Sequence, residues 1–265
     1  MLILSPFKIF CRSTDDTSML LVLIINTTVL LIVTAQRNLG EYGKYGVATQ
    51  NSLYNAPDGP DKTENAGKPE NAVKPPISNN FTLQTCSHTD LNMEPAWWMF
   101  AFSFGIAYIT DITIYYRESY AERMNGFKLY LSNTSIIPPE GPEGYLCYND
   151  TQPGPPNITQ TISCNHLGQY VIYYQDSKGS LMGNERYNII ELCYVAIHGC
   201  QMTFWGSTCE FSCPENCKEH HCFPENGSCV WGCIGKNCLK DICDFDTGVC
   251  LKGCKDRRTG PDCNK

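Results

Sequence analysis

His88, Arg117, Tyr120 and Arg123 stand in two short stretches, CSHTD at 86–90 and RESYAER at 117–123. Their types make a donor-rich set. Guanidinium forks and an imidazole supply fixed N–H donors, and a tyrosine ring supplies an apolar face. Such a set suits a neutral ligand with oxygen acceptors on one side and C–H surface on the other. A second reading also stands: Arg117 and Arg123 as solvated partners of Glu118 and Glu122, in ion pairs worth little, and His88 as an exposed turn residue. Catalysis draws no support, because there is no serine elbow and no metal-ligand helix, and the cysteines read as disulfide partners, not nucleophiles. The chain is therefore read as a non-enzyme.

The elements that must carry these residues read as strands. GIAYITDITIYY alternates, placing Ile106, Tyr108, Ile112 and Ile114 on one side, and FKLYLS places Phe127, Leu129 and Leu131 on one side with Lys128 and Ser132 on the other. QYVIYYQD (169–176) and IIELCYVAIHGC (189–200) repeat the pattern, while residues 36–80 are rich in Asn, Gly, Pro and Lys and read as long loops around one short strand. Without an amphipathic helix, the pattern predicts an all-β sandwich or barrel of about 165 residues. In the pair Trp97 and Trp98, one ring is expected in the core and the other at the surface.

The chain holds 17 Cys, a density that points to an oxidising, extracytosolic compartment. After Cys200 the apolar runs stop, and Cys217, Cys222, Cys229, Cys233 are repeated 21 residues later as Cys238, Cys243, Cys250, Cys254. Each copy is too small to bury a core and needs disulfides in its place. Cys147 and Cys164 bracket a Pro-rich loop, and closing it would contribute on the order of 3 kcal/mol. A zinc site at His220 and His221 is disfavoured by the absence of Cys-x-x-Cys knuckles. Asn80, Asn133, Asn149, Asn157 and Asn226 each open an Asn-x-Ser/Thr glycosylation triplet.

Residues 1–35 read as an N-terminal extension and a secretory signal, with an apolar run from Met19, Lys8 and Arg12 as the positive flank, and Val33-Thr34-Ala35 as the cleavage pattern. Removing Cys11 with the signal leaves an even number that can pair completely. An uncleaved signal anchor is the alternative, in which case the protein stays at the cell surface. A fragment of a longer membrane receptor belongs to the same alternative. The formal charge of -7 and the absence of a basic run argue against nucleic acid or an anionic membrane as partner.

Two resemblances build on these residues. TFWGSTCEFSCPENC and the NGSC turn are similar to laminin-type or scavenger-receptor-type EGF-like repeats, which assigns 200–265 to small disulfide-rich modules, with Cys200 paired to Cys209. The stretches CSHTD…AWW, RESYAERMNGFKLYLSN and LCYVAIHGC resemble the F-type, fucose-binding lectin domain over residues 36–199. That resemblance implies a jelly-roll β-sandwich of the galactose-binding-like class and a Cys86–Cys193 disulfide. It also implies fucose or a related glycan held by His88, Arg117 and Arg123, with Tyr120 covering one sugar face. Secretion and a role in innate immunity or adhesion are further implications. Ser119 stands where the family pattern has Asp, the spacing between the two Arg is one residue shorter, and Tyr120-Ala121 replaces a Cys pair found in some members. The family also implies a structural calcium near an Asn-x-x-Asp-Gly turn; here NAVKPP occupies that turn, with Lys74 in place of the Asp and Asp58 and Asp61 nearby. No other cofactor is expected. The competing reading is a non-lectin, scavenger-receptor-like module working through protein contacts.

Overall fold

The computed structural model describes residues 36–41, 43–60, 63–91, 95–139, 144–176, 180–182, 185–261, 263 and 265. The signal segment, Cys11 and Asp61 lie outside them. Twelve short strands carry the described chain: β1 (Gly46–Gln50), β2 (Ala96–Phe102), β3 (Ala107–Tyr116), β4 (Lys128–Ser132), β5 (Gly144–Asn149), β6 (Thr159–Gly168), β7 (Tyr170–Gln175), β8 (Ser180–Met182), β9 (Glu185–Tyr187), β10 (Leu192–Gln201), β11 (Phe204–Trp205) and β12 (Phe211–Ser212). They form a five-stranded sheet, β1-β2-β7-β4-β5, facing a three-stranded sheet, β10-β3-β6, with β8–β9 and β11–β12 as small hairpins. The pairings are antiparallel, and the fold class is the all-β sandwich expected from the alternating pattern.

Alternation explains what each sheet buries. Trp98, Phe100 and Phe102 of β2 point inward and meet Leu129 and Leu131 of β4, Val171 and Tyr173 of β7, and Ile112 and Ile114 of β3 in one core. Trp98 is fully buried and its indole N–H donates to the Pro69 carbonyl at 2.9 Å, whereas Trp97 is partly exposed. Phe127 stacks on Tyr173 at a centroid distance of 4.8 Å, which anchors the turn leading into β4.

One strand departs from simple alternation. A bulge between Ile109 and Asp111 reverses the side-chain parity of β3, so the core residues are Ala107 and Ile109 before it and Ile112, Ile114 and Tyr116 after it. Tyr108, expected on the same side as Ile112, instead turns its ring edge to Phe223 of the cysteine-rich segment, with centroids 5.4 Å apart. Ile106 precedes the strand.

β10 runs across residue 200 without a break, and Gln36–Lys265 forms one compact unit. Beyond β10 the short elements are held by Cys200–Cys209, Cys213–Cys222, Cys217–Cys229, Cys233–Cys243, Cys238–Cys250 and Cys254–Cys263. Cys217–Cys229 and Cys238–Cys250 are the same link 21 residues apart, so the repeat in sequence is a repeat of cross-links. Cys86–Cys193 and Cys147–Cys164 tie the sandwich itself. These eight bridges occupy the cysteines that a zinc site beside His220 and His221 would need.

Candidate functional site

Three chain segments meet at one end of the three-stranded sheet. Tyr116, the last residue of β3, pairs with Leu192, the first of β10, so Arg117 and Glu191 emerge side by side, and the Arg117 N–H donates to the Glu191 carbonyl at 3.1 Å. The segment Cys86–Thr89 lies alongside: Ser87 N donates to Leu192 O at 2.8 Å and Thr89 N to Ile190 O at 3.1 Å. The Ser87 and Thr89 hydroxyls accept from the N–H groups of Leu192 and Ile190 in return, at 3.3 and 2.9 Å. Cys86–Cys193 closes this ladder at one end, and the register it sets brings His88 opposite Glu191.

Arg123 arrives from the 3-10 turn Ala121–Met124 between β3 and β4. Its carbonyl and that of Asn125 accept from the buried amide of Gln175 on β7, at 2.5 and 3.1 Å. Ser119 adopts a φ of +63°, a left-handed turn conformation that lets the loop reverse.

Glu191 is the hub. Its side chain is fully buried and receives all three predicted donors: His88 Nε2 at 3.1 Å and Arg117 on Oε1, and Arg123 at 2.5 Å on Oε2. Burial pushes its carboxyl up, but the His88 hydrogen bond and the charges of His88, Arg123 and Arg117 outweigh burial and bring it down to about 2. Charge-assisted bonds of this kind are the strong ones, and in a site closed to water they fix side-chain geometry.

The surroundings are aromatic. Tyr54 stacks on the His88 ring with centroids 4.3 Å apart, and Phe81 meets it edge-on at 5.8 Å. The Arg117 guanidinium lies 3.8 Å from the Phe81 ring and 4.1 Å from that of Tyr120, and Arg123 lies 4.0 Å from the same tyrosine ring, so Tyr120 contacts both cations. His88 Nδ1 also faces the Thr89 carbonyl at 2.7 Å, so both ring nitrogens point at acceptors.

A cleft of about 530 Å³ opens over this cluster. Its lining includes the aromatic and aliphatic side chains of Tyr54, Phe81 and Leu83 and the polar ones of His88, Arg117 and Asp58. Arg123 and Tyr120 are not among its lining residues, which corrects the expectation that Tyr120 forms the open apolar face; Tyr54 and Phe81 hold that place. Arg117 is not positioned by Glu118 or Glu122 but by Glu191, and His88, at 4% exposure, is not a solvated turn residue. Gly67 backs the His88 loop from a φ of +65°: its carbonyl accepts from His88 N at 2.9 Å, and an added Cβ would come within 3.2 Å of His88 Cβ. Gln50 joins the same loop, donating to the Ser52, Gly67 and His88 carbonyls.

Glu191, Tyr54, Phe81 and Gln175 have no place in the sequence motif. A signal for Glu191 does exist: it is the single carboxylate in the apolar run 189–197, two residues before a disulfide cysteine, as His88 is two residues after its partner.

The turn expected to hold calcium does not fit it. Lys74 puts a cation where a carboxylate ligand is required, 3.9 Å from Glu70, and the Asn71 amide turns its donor side to the Asn65, Leu83 and Cys86 carbonyls at 2.8, 3.2 and 3.3 Å. Asp58 lines the cleft instead. Among the described residues no three or more His, Cys, Asp and Glu side chains converge as a metal centre would.

No protein-family model matches the chain, and no curated relative matches it. Among solved structures it is similar to an F-lectin (fucolectin) from Morone saxatilis (striped bass) serum, at 24% identity over 62% of this chain and 49% of that one, TM-score 0.46. The chain spans about half the length of that fucolectin. It is also similar to a fucose binding module of Streptococcus pneumoniae (16% identity, 62% and 96% coverage, TM-score 0.43). The lectin domain of lectinolysin, solved with Lewis B antigen, gives 15% identity, 62% and 98% coverage and a TM-score of 0.44.

Proposed function

We propose that the cleft over His88 and Arg117 binds a glycan, and that the protein is a secreted or surface-displayed recognition module. The observation that carries this reading is one cleft lined both by the Arg117 guanidinium, held by Glu191, and by aromatic and aliphatic groups, Tyr54, Phe81 and Leu83. A sugar ring needs both, because its hydroxyls seek fixed donors and acceptors while its C–H face seeks apolar contact. Asp58 adds a carboxylate to the lining. Among sugars we favour fucose or a related 6-deoxyhexose, as the sequence resemblance implies, since its methyl group suits the Leu83 and Ala56 wall. Extracellular residence is supported by eight disulfides and by the exposure of the five glycosylation-triplet asparagines that follow the leader.

One observation favours a second reading, a protein-contact module on a lectin-like scaffold. Arg123 and His88 are nearly buried, and Glu191 already occupies all three donors. A glycan array probed with the secreted protein and with Arg117→Ala separates the two. Retention of defined glycans that is lost in the variant is expected; no retention, or retention that survives the substitution, overturns glycan binding at this cleft.

A further inference from the structure

The triplet Asn80-Phe81-Thr82 is placed differently from the other four. Phe81 and Thr82 line the cleft, and Asn80 itself is exposed. With its amide nitrogen turned to Glu118, Asn80 Nδ2 lies 3.2 Å from Oε1 and 3.3 Å from Oε2 of that carboxylate. Glu118 follows Arg117, which lines the cleft and packs on Phe81. Asn80 is therefore joined to the cleft wall twice, through the chain at Phe81 and through Glu118 beside Arg117. The Thr82 hydroxyl is fixed by Thr85 at 2.7 Å, and the Asn80 carbonyl faces the sulfur of Cys86 at 3.6 Å, so the segment is anchored at the disulfide.

We propose that Asn80 carries an N-linked glycan that stands on the Phe81 and Arg117 rim and screens the cleft from large glycoconjugates. In the modification, Asn80 Nδ2 bonds to the anomeric carbon of a lipid-linked oligosaccharide diphosphate. The bond from that carbon to the diphosphate oxygen breaks, the diphosphate leaves with the electron pair, and the amide releases one proton. One N–H remains to face Glu118, which directs the attached sugar along the rim. The chain's own glycan thereby narrows access along the Phe81 and Arg117 rim, favouring terminal sugars over crowded, branched ones. Asn133, beyond the far end of β4, has no such relation to the cleft.

The selectivity part of the proposal rests on glycan binding at this cleft; the screening part does not, and the experiment reads them separately. The full chain is secreted from cultured animal cells, occupancy at Asn80 is measured by peptide mass spectrometry, and wild type is compared with Asn80→Gln and Asn133→Gln. Two readouts follow: the rate at which a bulky dicarbonyl reagent modifies Arg117, and affinity for an immobilised branched glycoconjugate against free fucose. An occupied Asn80 is expected, with Arg117 modification several times faster in Asn80→Gln alone. Affinity for the glycoconjugate should rise about tenfold, equivalent to ~1.4 kcal/mol, while that for free fucose stays within about twofold. Trimming the wild-type glycan to its first sugar with an endoglycosidase should reproduce both changes without altering the sequence. An unmodified Asn80, or equal Arg117 reactivity before and after trimming, overturns the proposal. Faster Arg117 modification with no glycan retained by any form leaves the screen standing and removes the glycan-binding reading.

Discussion

His88 follows Cys86 by two residues, Glu191 precedes Cys193 by two, and the Nε2 of the one lies 3.1 Å from the Oε1 of the other. The disulfide therefore acts as a register pin for a buried His–carboxylate contact. The two backbone segments between the bridge and the pair are locked by reciprocal bonds between Ser87 and Leu192, and a slip of one residue would turn His88 or Glu191 to the opposite side.

The first consequence concerns the bridge. Cys86–Cys193 closes a loop of 107 residues, and opening a loop of that order in the chain-entropy account costs about 4–5 kcal/mol. Replacing both cysteines by Ala should lower the denaturant midpoint accordingly and abolish glycan retention together with it. Removing Cys147–Cys164, with a separation of 17, should cost less and spare the site. Equal effects of the two double substitutions on glycan retention would contradict the register argument.

Glu191→Gln keeps the shape of the hub and removes its charge. Arg123, almost fully buried, then loses the Glu191 charge, and breaking a buried pair in this way costs on the order of 3–5 kcal/mol. Urea unfolding measures it. A loss below about 1 kcal/mol would place the Arg123 charge in contact with water and refute the buried-hub description.

Acidification tests the same group by another route. The folded carboxyl of Glu191 titrates at about 2, below its ordinary value of 4.5, so the folded state binds its proton less tightly than the unfolded chain. Its contribution to stability is therefore fully present above pH 4.5 and is lost as pH falls from there through about 2. The shift corresponds to roughly 3 kcal/mol at neutral pH. The gap in unfolding free energy between wild type and Glu191→Gln should be constant from pH 7 to 5 and close toward pH 2; a gap that does not change over that range would be inconsistent with a depressed carboxyl.

How much of this was legible in the sequence differs by element. Leu129 and Leu131 of β4 follow strict alternation and fall in the core, and the Trp97-Trp98 pair divides between surface and core. Tyr108 does not follow, because the bulge after Ile109 is created by pairing with β6 and leaves no mark in local periodicity. His88, Arg117 and Arg123 converge, but on a carboxylate that the motif does not contain, and Ser119 lacks the one the family pattern has. That carboxylate, Glu191, lies just ahead of β10, 68 residues beyond Arg123, and is placed by a disulfide and not by a local motif. Tyr54 and Phe81 were illegible for the same reason: the loops that bring them over His88 are set by carbonyl contacts to Gln50, Gly67 and Asn71.

The calcium turn yields a further expectation. With Lys74 in the carboxylate position and the Asn71 amide already bonded to three carbonyls, the loop under His88 is held by side-chain donors. Excess EGTA should leave the thermal midpoint unchanged, and added calcium should not raise it. Asn71→Ala should lower the midpoint whether or not calcium is present. A calcium-dependent rise in the wild-type midpoint would show that the carbonyls accept a cation after all.

Arg117 and Arg123 look equivalent in the sequence and should behave differently. Arg123 is 5% exposed, lies outside the cleft and closes the underside of Glu191, so Arg123→Ala leaves a buried carboxylate short of one partner and acts first on stability. The Arg117 side chain is 21% exposed, lines the cleft and shares Oε1 with His88, so Arg117→Ala removes ligand-facing donors while Arg123 still pairs with the hub and His88 still bonds to it. Arg117→Ala should therefore weaken glycan binding by at least about tenfold, some 1.4 kcal/mol, with little change in the unfolding midpoint. Arg123→Ala should lower the midpoint by several degrees and affect binding only as far as the fold loosens. Paired calorimetric and thermal measurements on the two variants decide it: if Arg123→Ala abolishes binding at a temperature where the protein remains fully folded, Arg123 touches the ligand directly and the cleft extends beneath Tyr120.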